Sequence, residues 1–311
     1  MTNDQPASPS ILIGIPSFRR PDGLKRLLLS LAKQEAAGDL NVCVFVAESD
    51  AANQEAVALC REGVSQLSWP LTCGLAEQPG VSSARNAILA EARARGVDLV
   101  AMLDDDQVAD PNWLADIVSL QQQTQADVVG APLVFEFGPD APASIRYCGY
   151  FSSADERNAR KKLLFATNNV LFSCEALAKH DWPKFDERFT FGGGGDTEYF
   201  MRLLSLGLSF AWAESAIARD FVSDERQRPA QILRRAYRFG NSQIHVLSTR
   251  SETRALATSL VKAVVILAAS PALIVMMLLP SRRLWAPAKI LNAIGRLTAI
   301  LGYSIRYYGA S

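Results

Sequence analysis

The chain has 311 residues, 32 Lys and Arg against 32 Asp and Glu, and an apolar fraction of 49%. It can bury the core of one large domain or two small ones, and its zero net charge removes any general electrostatic case for nucleic acid as a partner. Cys43, Cys60, Cys73, Cys148 and Cys174 are odd in number and lack CxxC spacing. That usage argues against a disulfide framework and for a reducing compartment.

Residues 1–9 read as a flexible, polar N-terminus without a basic-plus-apolar export signal. Ile11 to Ile15 reads as a buried strand. Pro16 to Pro21 forms a loop, and an amphipathic helix runs from there to about Ala36. Val42 to Ala47 is a second strand, Ala51 to Glu62 a second helix, and Val81 to Arg95 a third. The strand Leu99 to Leu103 follows, then a helix from about Asn112 to Gln125 and a strand from Val128 to Val134. Short apolar runs alternating with helical periods predict a largely parallel sheet covered on both faces. Beyond it the regularity breaks. Ser152 to Lys162 is polar and reads as a mobile loop, Asn168 to Phe172 as a strand, and Cys174 to His180 as a short helix. Phe191-Gly192-Gly193-Gly194-Gly195-Asp196 opens a helix to about Leu206. Strands near Ser209 to Trp212 and Ala216 to Val222 precede an arginine-rich helix from Pro229 to about Val246.

The apolar strand Leu99 to Leu103 stops in Asp104-Asp105-Asp106. Three adjacent carboxylates repel one another, and hard oxygen ligands of this kind suit Mg²⁺ or Mn²⁺. Their position at the mouth of a strand-to-helix loop is where open α/β sheets bind ligands. The competing reading is an acidic turn in which one aspartate caps a helix and the others face water.

Ala263 to Leu279 is an uncharged run of 17 residues, at the short limit for a membrane span. Arg282, Arg283, Lys289, Arg296 and Arg306 follow it. A single crossing from the cytosol would leave these charges outside, against the positive-inside tendency. A hairpin or helices lying in the interface keeps them on the cytosolic side and is preferred. The alternative is a buried helix pair of a soluble protein.

Ile11 to Arg20, Gly80-Val81-Ser82-Ser83-Ala84-Arg85-Asn86, Met102 to Asp106 and Gly193 to Arg202, in that order and spacing, resemble the family 2 glycosyltransferases of the GT-A fold. The resemblance covers roughly the first 245 residues. Asn168 to Phe172 and Arg234 to Asn241 look most like the subgroup that builds bacterial exopolysaccharide and lipid-linked glycans. The implied architecture is α/β, a Rossmann-like, mostly parallel sheet flanked by helices, over residues 10–248. Membrane-associated helices would occupy 249–311.

The resemblance implies a nucleotide-sugar donor, UDP-linked by family habit, held at Pro16, Ser17 and Arg19 and at Arg85, with Asp105 beside it. Asp104 and Asp106 would form the D-x-D pair. Asp106 would bind the divalent cation directly, and Asp104 would touch ribose or the metal shell. Glu48 falls where relatives carry an aspartate near the base or ribose, although a solvated loop acid reads equally well. Arg85 could instead be a surface arginine. Asp196 would be the base of an inverting transfer, or simply the N-cap of its helix. Relatives usually read Gly-Glu-Asp where this chain has Gly194-Gly195-Asp196, so Asp196 stands with only Glu198 nearby.

The glycine run lacks the Lys-Ser/Thr of a P-loop and reads as flexible backbone that leaves room for the acceptor. Asp220 falls where some relatives place a further acid near the metal. Arg234, Arg235 and Arg238, with Arg226 and Arg228, would clamp a diphosphate or the pyrophosphate of a polyprenyl-linked acceptor, or else rest on anionic lipid. Trp182, Trp212 and Tyr199 are candidates for a sugar subsite or for core, whereas His180 and His245 show no metal or triad spacing. The sequence thus predicts a metal-dependent glycosyltransferase at the cytoplasmic face of the inner membrane, with a glycan or lipid-linked acceptor. Its rivals are a non-catalytic nucleotide-sugar or membrane scaffold and a sugar nucleotidyltransferase.

Overall fold

A computed structural model of the protein describes residues 8–35, 40–151, 166–190 and 192–303. Residues 1–7, the predicted loop from Ser152 to Lys162, and Phe191 lie outside them. The described chain divides into two compact units.

The first comprises Met1–Val134, Ala154–Phe185 and Tyr199–Asp220. Its seven-stranded sheet has the order β3-β2-β1-β4-β8-β6-β9. At its centre β1 (Ser10–Ser17) runs parallel to β2 (Asn41–Glu48) and to β4 (Leu99–Leu103). All three are nearly continuous apolar runs, which a sheet covered on both faces requires. β3 (Leu71–Leu75) adds a parallel edge strand. β8 (Asn169–Ser173) is antiparallel to both β4 and β6 (Val128–Gly130), and β6 pairs in parallel with β9 (Phe210–Trp212). The sheet is therefore mixed.

The helices of this unit are α1 (Pro21–Leu31), α2 (Glu55–Glu62), α3 (Val81–Arg95) and α4 (Trp113–Thr124). α3 crosses β1 so closely that a Cβ on Gly14 would lie 2.1 Å from Ile88 Cγ2. One core cluster gathers Leu12, Ile88, Val100, Phe172, Tyr199 and Phe200.

Several boundaries depart from the sequence reading. β3 was not foreseen, nor was β5 (Gln107–Ala109), which pairs antiparallel with β10 (Ala218–Phe221). The expected strand from Val128 to Val134 is two strands, β6 and β7 (Leu133–Glu136), and β7 belongs to a second sheet of order β5-β10-β7. Pro132 lies between them and has no N–H for a ladder. α1 stops at Leu31 instead of near Ala36, and α2 starts at Glu55 instead of Ala51.

The second unit comprises Phe135–Ser153, Asp186–Glu198 and Phe221–Ser311. The short helices α5 (Ala143–Arg146) and α6 (Cys174–Lys179) precede α7 (Gly195–Ser205) in the chain, α6 belonging to the first unit. The later segment holds α8 (Asp224–Gln227), α9 (Pro229–Thr249), α10 (Thr253–Ala268), α11 (Ser270–Val275) and α12 (Trp285–Ile300). α9 and α12 meet at two glycines. A Cβ on Gly240 would sit 2.0 Å from the Asn292 carbonyl oxygen, and one on Gly295 2.1 Å from that of Tyr237. Asn292 Nδ2 donates to the Ala236 carbonyl at 3.1 Å, fixing the crossing.

Among the described residues no single helix is long and apolar enough to cross a membrane. Thr253–Ala268 and Ser270–Leu278, bent by 61°, meet that test only as a pair. Val264, Val265, Ile274, Val275 and Leu278 are exposed, Leu278 to 79%. Within this unit the apolar run thus presents much of its surface outward.

Candidate functional site

In the first unit the C-terminal ends of β1 and β4 lie side by side, and the loop after each is tied to the other. Asp105 is turned inward and only 4% exposed. Its Oδ2 accepts from Ser17 Oγ and from the Phe18 amide, both at 3.1 Å, and its Oδ1 from Arg20 Nη1 at 3.2 Å. Burial pushes the Asp105 carboxyl up to about 6, against the pull of the Arg20 charge. Asp104 and Asp106 flank it with side chains 31% and 24% exposed. Arg85 Nη2 lies 3.3 Å from Asp104, and Arg20 Nη1 lies 2.7 Å from Asp106. The competing picture of two solvated aspartates around one helix cap is thus replaced by two half-open carboxylates around a buried one, with guanidinium groups on all three.

Local sequence explains how these groups converge. Arg20 precedes Pro21, the first residue of α1, and its carbonyl accepts the Leu24 amide at 3.0 Å. Gly23 lets that first turn press against the triplet, since a Cβ there would fall 2.6 Å from the Asp105 carbonyl oxygen. Arg19 has φ 52°, a left-handed conformation, and its side chain pairs with Asp50, not with the triplet. The Arg19 guanidinium holds the Asp50 carboxyl below its usual range. Of the two arginines, the one that reaches the acidic run is Arg20, which sequence reasoning passed over; its place immediately before a Pro-initiated helix was the available signal.

Arg85 is buried on α3, so the surface reading is corrected. Its guanidinium lies over the Phe185 ring, 5.7 Å from the centroid. Asn86 exchanges two hydrogen bonds with the Phe185 backbone, at 2.7 and 3.0 Å, holding that ring in place. Glu48 is 1% exposed, which corrects the solvated-loop alternative. Its carboxylate accepts the Asp50 amide at 2.8 Å and the Ala56 amide at 3.0 Å, bracing the β2–α2 turn and the α2 N-terminus. Ser49 donates to the Ser17 carbonyl at 3.0 Å, linking this turn to the β1 loop. Pro16 is buried at the end of β1. Asp220, also buried, stands opposite Gln107 in the β5–β10 register, directly after the triplet. Asn169 is a structural hub, accepting from Trp113 Nε1 at 2.7 Å and donating to the carbonyls of Pro132 and Ala216.

Tyr199 is fully buried and stacks on Phe185 at 3.8 Å, while Trp182 and Trp212 pack on the same core cluster. The core alternative holds for Tyr199.

In the second unit, Gly193 and Gly194 have φ of +75° and +93°. A Cβ on Gly194 would fall 2.8 Å from Val246 Cγ2. These glycines are needed for a fixed left-handed turn packed on α9, a correction to the reading of flexible backbone. Asp196 is the second residue of α7 and partly exposed; the N-cap alternative does not apply, because the Gly194 carbonyl already accepts the Glu198 amide. Glu198 is buried against Arg250, Nη1 to Oε1 3.4 Å. Phe189 packs on His245. Arg235 lies over Phe151 and Phe239, and Arg226 over Phe151. Arg228 and Arg234 are exposed, and Arg238 is partly so. His180 is exposed at the end of α6.

The first unit is an α/β, Rossmann-like fold with a mixed sheet and an acidic cluster at the carboxyl edge of its parallel strands. The profile described as "Glycosyltransferase like family 2" matches residues 9–242. The chain belongs to that family and is an enzyme of the glycosyltransferase class. It is 27% identical over 244 residues to the succinoglycan biosynthesis protein ExoM of Rhizobium meliloti (strain 1021), covering 77% of this chain and 75% of that protein. Its fold is similar to that of mannosyltransferase PcManGT from Pyrobaculum calidifontis, solved with GDP-Man and Mn²⁺. The TM-score is 0.64 at 16% identity, covering 95% of this chain and 88% of that one. It is also similar to S. aureus TarS 1-349 with UDP-GlcNAc, at a TM-score of 0.52 and 14% identity, covering 94% and 92%.

Proposed function

We propose that this glycosyltransferase moves a sugar from a nucleoside-diphosphate donor, UDP-linked in the first instance, to a hydroxyl of a glycan or polyprenyl-diphosphate-linked acceptor. The transfer inverts the anomeric carbon and takes place at the cytoplasmic face of the membrane. The observation that carries this reading is the end of β4, where Asp104 and Asp106 stand half-open on either side of a buried Asp105 that fixes the β1 loop.

Those two carboxylates fit a divalent cation of the Mg²⁺ or Mn²⁺ kind. Such ions take one or two protein carboxylates and complete their shell with phosphate and water oxygens. Among the described residues no group of three or more His, Cys, Asp or Glu forms a metal cage by itself, so the remaining ligands would come from the donor. A cation held there would act as a Lewis acid toward charge developing on the leaving diphosphate. The rest falls to the chain. Arg85 and the Ser17–Arg20 loop bind phosphate and ribose oxygens, and Glu48 and Asp50 shape the turn on the base side. Asp196 takes the proton from the acceptor hydroxyl as its oxygen attacks the face opposite the diphosphate, which inverts the centre.

Arg234, Arg235 and Arg238 present guanidinium groups suited to a pyrophosphate. From Thr253 onward the sequence carries Arg and Lys but no Asp or Glu. With the exposed apolar side chains of α10 and α11, this favours an anionic membrane surface as the setting.

Calorimetric titration of UDP, GDP, dTDP, CDP and ADP, with and without Mn²⁺, tests the donor site. Manganese-dependent binding of one nucleotide, lost in Asp106→Ala, is the expected result. No binding of any of the five overturns the reading.

A further inference from the structure

We infer that Arg20 is a built-in competitor of the divalent cation, holding Asp106 and Asp105 until a nucleoside diphosphate offers its guanidinium another partner, so that cation and nucleotide bind as a coupled pair. The inference rests on the donor site proposed above and concerns how that site loads.

The geometry singles out this arginine. One nitrogen, Nη1, reaches both Asp106 at 2.7 Å and Asp105 at 3.2 Å. The backbone of Arg20 is anchored at the start of α1, and Gly23 presses that turn against the triplet. Its side chain is nevertheless 53% exposed, in contrast to 6% for Arg85. Arg20 can change partner without moving backbone, whereas Arg85 is enclosed. Arg19 is committed to Asp50.

Charge decides the direction of coupling. Three carboxylates and two guanidinium groups leave one net negative charge. A dication alone inverts this to one positive charge, with a guanidinium and a metal ion sharing the Asp106 carboxylate and repelling each other. The two negative charges of a nucleotide-sugar diphosphate restore the balance and give Arg20 phosphate oxygens to fork onto. Whatever favours the cation only when nucleotide is present must, by linkage, favour nucleotide when the cation is present.

The test follows Mn²⁺ binding by the electron paramagnetic resonance of free Mn²⁺, using the full chain, with no nucleotide, with UDP and with GDP. For the wild type, affinity is expected to rise about tenfold or more with one of the nucleotides. Arg20→Gln is expected to bind Mn²⁺ alone about tenfold more tightly than wild type and to lose most of the nucleotide enhancement. Unchanged or weaker Mn²⁺ binding in Arg20→Gln, with enhancement intact, overturns the inference. If Arg20→Gln does not fold, Arg20→Lys takes its place. It keeps a positive charge that can still touch both carboxylates but lacks the planar fork that takes up phosphate oxygens, so a nucleotide enhancement smaller than that of wild type supports the inference and an unchanged one overturns it. Wild-type protein that binds no Mn²⁺ with either nucleotide, and none of the five nucleotides by calorimetry, overturns the donor site as well. Binding that Asp106→Ala abolishes but Arg20 substitutions leave untouched rejects the competitor role alone.

Discussion

Arg85 Nη2 lies 3.3 Å from Asp104 while its guanidinium covers the Phe185 ring, so one buried cation connects the acidic end of β4 to an aromatic platform. Planarity matters in both contacts. Lysine would keep the charge but lose the flat stacking surface and the second fork of N–H donors. Arg85→Lys is therefore expected to weaken nucleotide binding about tenfold, or about 1.4 kcal/mol. Calorimetry with the nucleotide that binds wild type reads the loss, and a thermal melt checks that the fold persists.

Much of this arrangement could be read before any coordinates. β1, β2 and β4 are runs of buried aliphatic residues, and such runs flanked by helical periods have few alternatives to a parallel sheet. β3 and β5 escaped because they are five and three residues long with mixed polarity, too short for periodicity to register. The acidic triplet was legible as a cluster, but which aspartate turns inward depends on the β1 loop folding across it. Likewise the place of Arg20 before Pro21 marks it in the sequence, but its direction is set only when the left-handed φ of Arg19 sends one arginine toward Asp50 and the other toward Asp106. In sequence Glu48 reads equally as a base or ribose contact and as a solvated loop acid, because the amides that bury it belong to Asp50 and Ala56, backbone groups that carry no side-chain signature.

The glycine turn before α7 separates two costs that are usually entangled. Gly193 and Gly194 both have left-handed φ, but only Gly194 faces a tight contact, Val246 Cγ2 at 2.8 Å from its virtual Cβ. Gly193→Ala should lose about 1 kcal/mol of stability, the cost of backbone strain alone. Gly194→Ala should lose about 2–4 kcal/mol, with overpacking added to strain. Equal losses in urea denaturation would mean that the α9 contact relaxes without resistance.

Asp98 joins the starts of β4 and β1 by accepting from both the Ser10 amide at 2.8 Å and the Ser10 hydroxyl at 2.7 Å. These hydrogen bonds hold its carboxyl below the ordinary value of 3.8. The folded form thus binds its proton less readily than the unfolded chain. The stability this contributes is complete above pH 3.8 and is lost as pH falls through the depressed value. Asp98→Asn should destabilise the protein at pH 7 by up to about 1 kcal/mol, discounted for the exposed setting. It should also flatten the acid limb of a stability-versus-pH curve below 3.8; an acid limb identical to wild type would show that other carboxylates govern acid unfolding.

Asp196 is where binding and chemistry should part. It occupies the first turn of α7 and is partly exposed, whereas Glu198 is buried and engaged by Arg250. Of the two carboxylates after the glycines, Glu198 is therefore poorly suited to proton transfer, and with Gly195 in the preceding position the proposed role of base falls to Asp196. A base is needed only as the acceptor oxygen attacks, so its loss should appear in turnover and not in donor affinity. Asp196→Asn preserves shape and removes the proton acceptor. Donor binding should stay within about twofold of wild type, and transfer should fall by about 10²–10⁴, the usual contribution of a positioned base. Radiolabelled sugar transfer measured beside calorimetry makes the separation visible. Turnover at the wild-type rate would assign the proton to another group, and a matching loss of donor affinity would place Asp196 in donor binding instead.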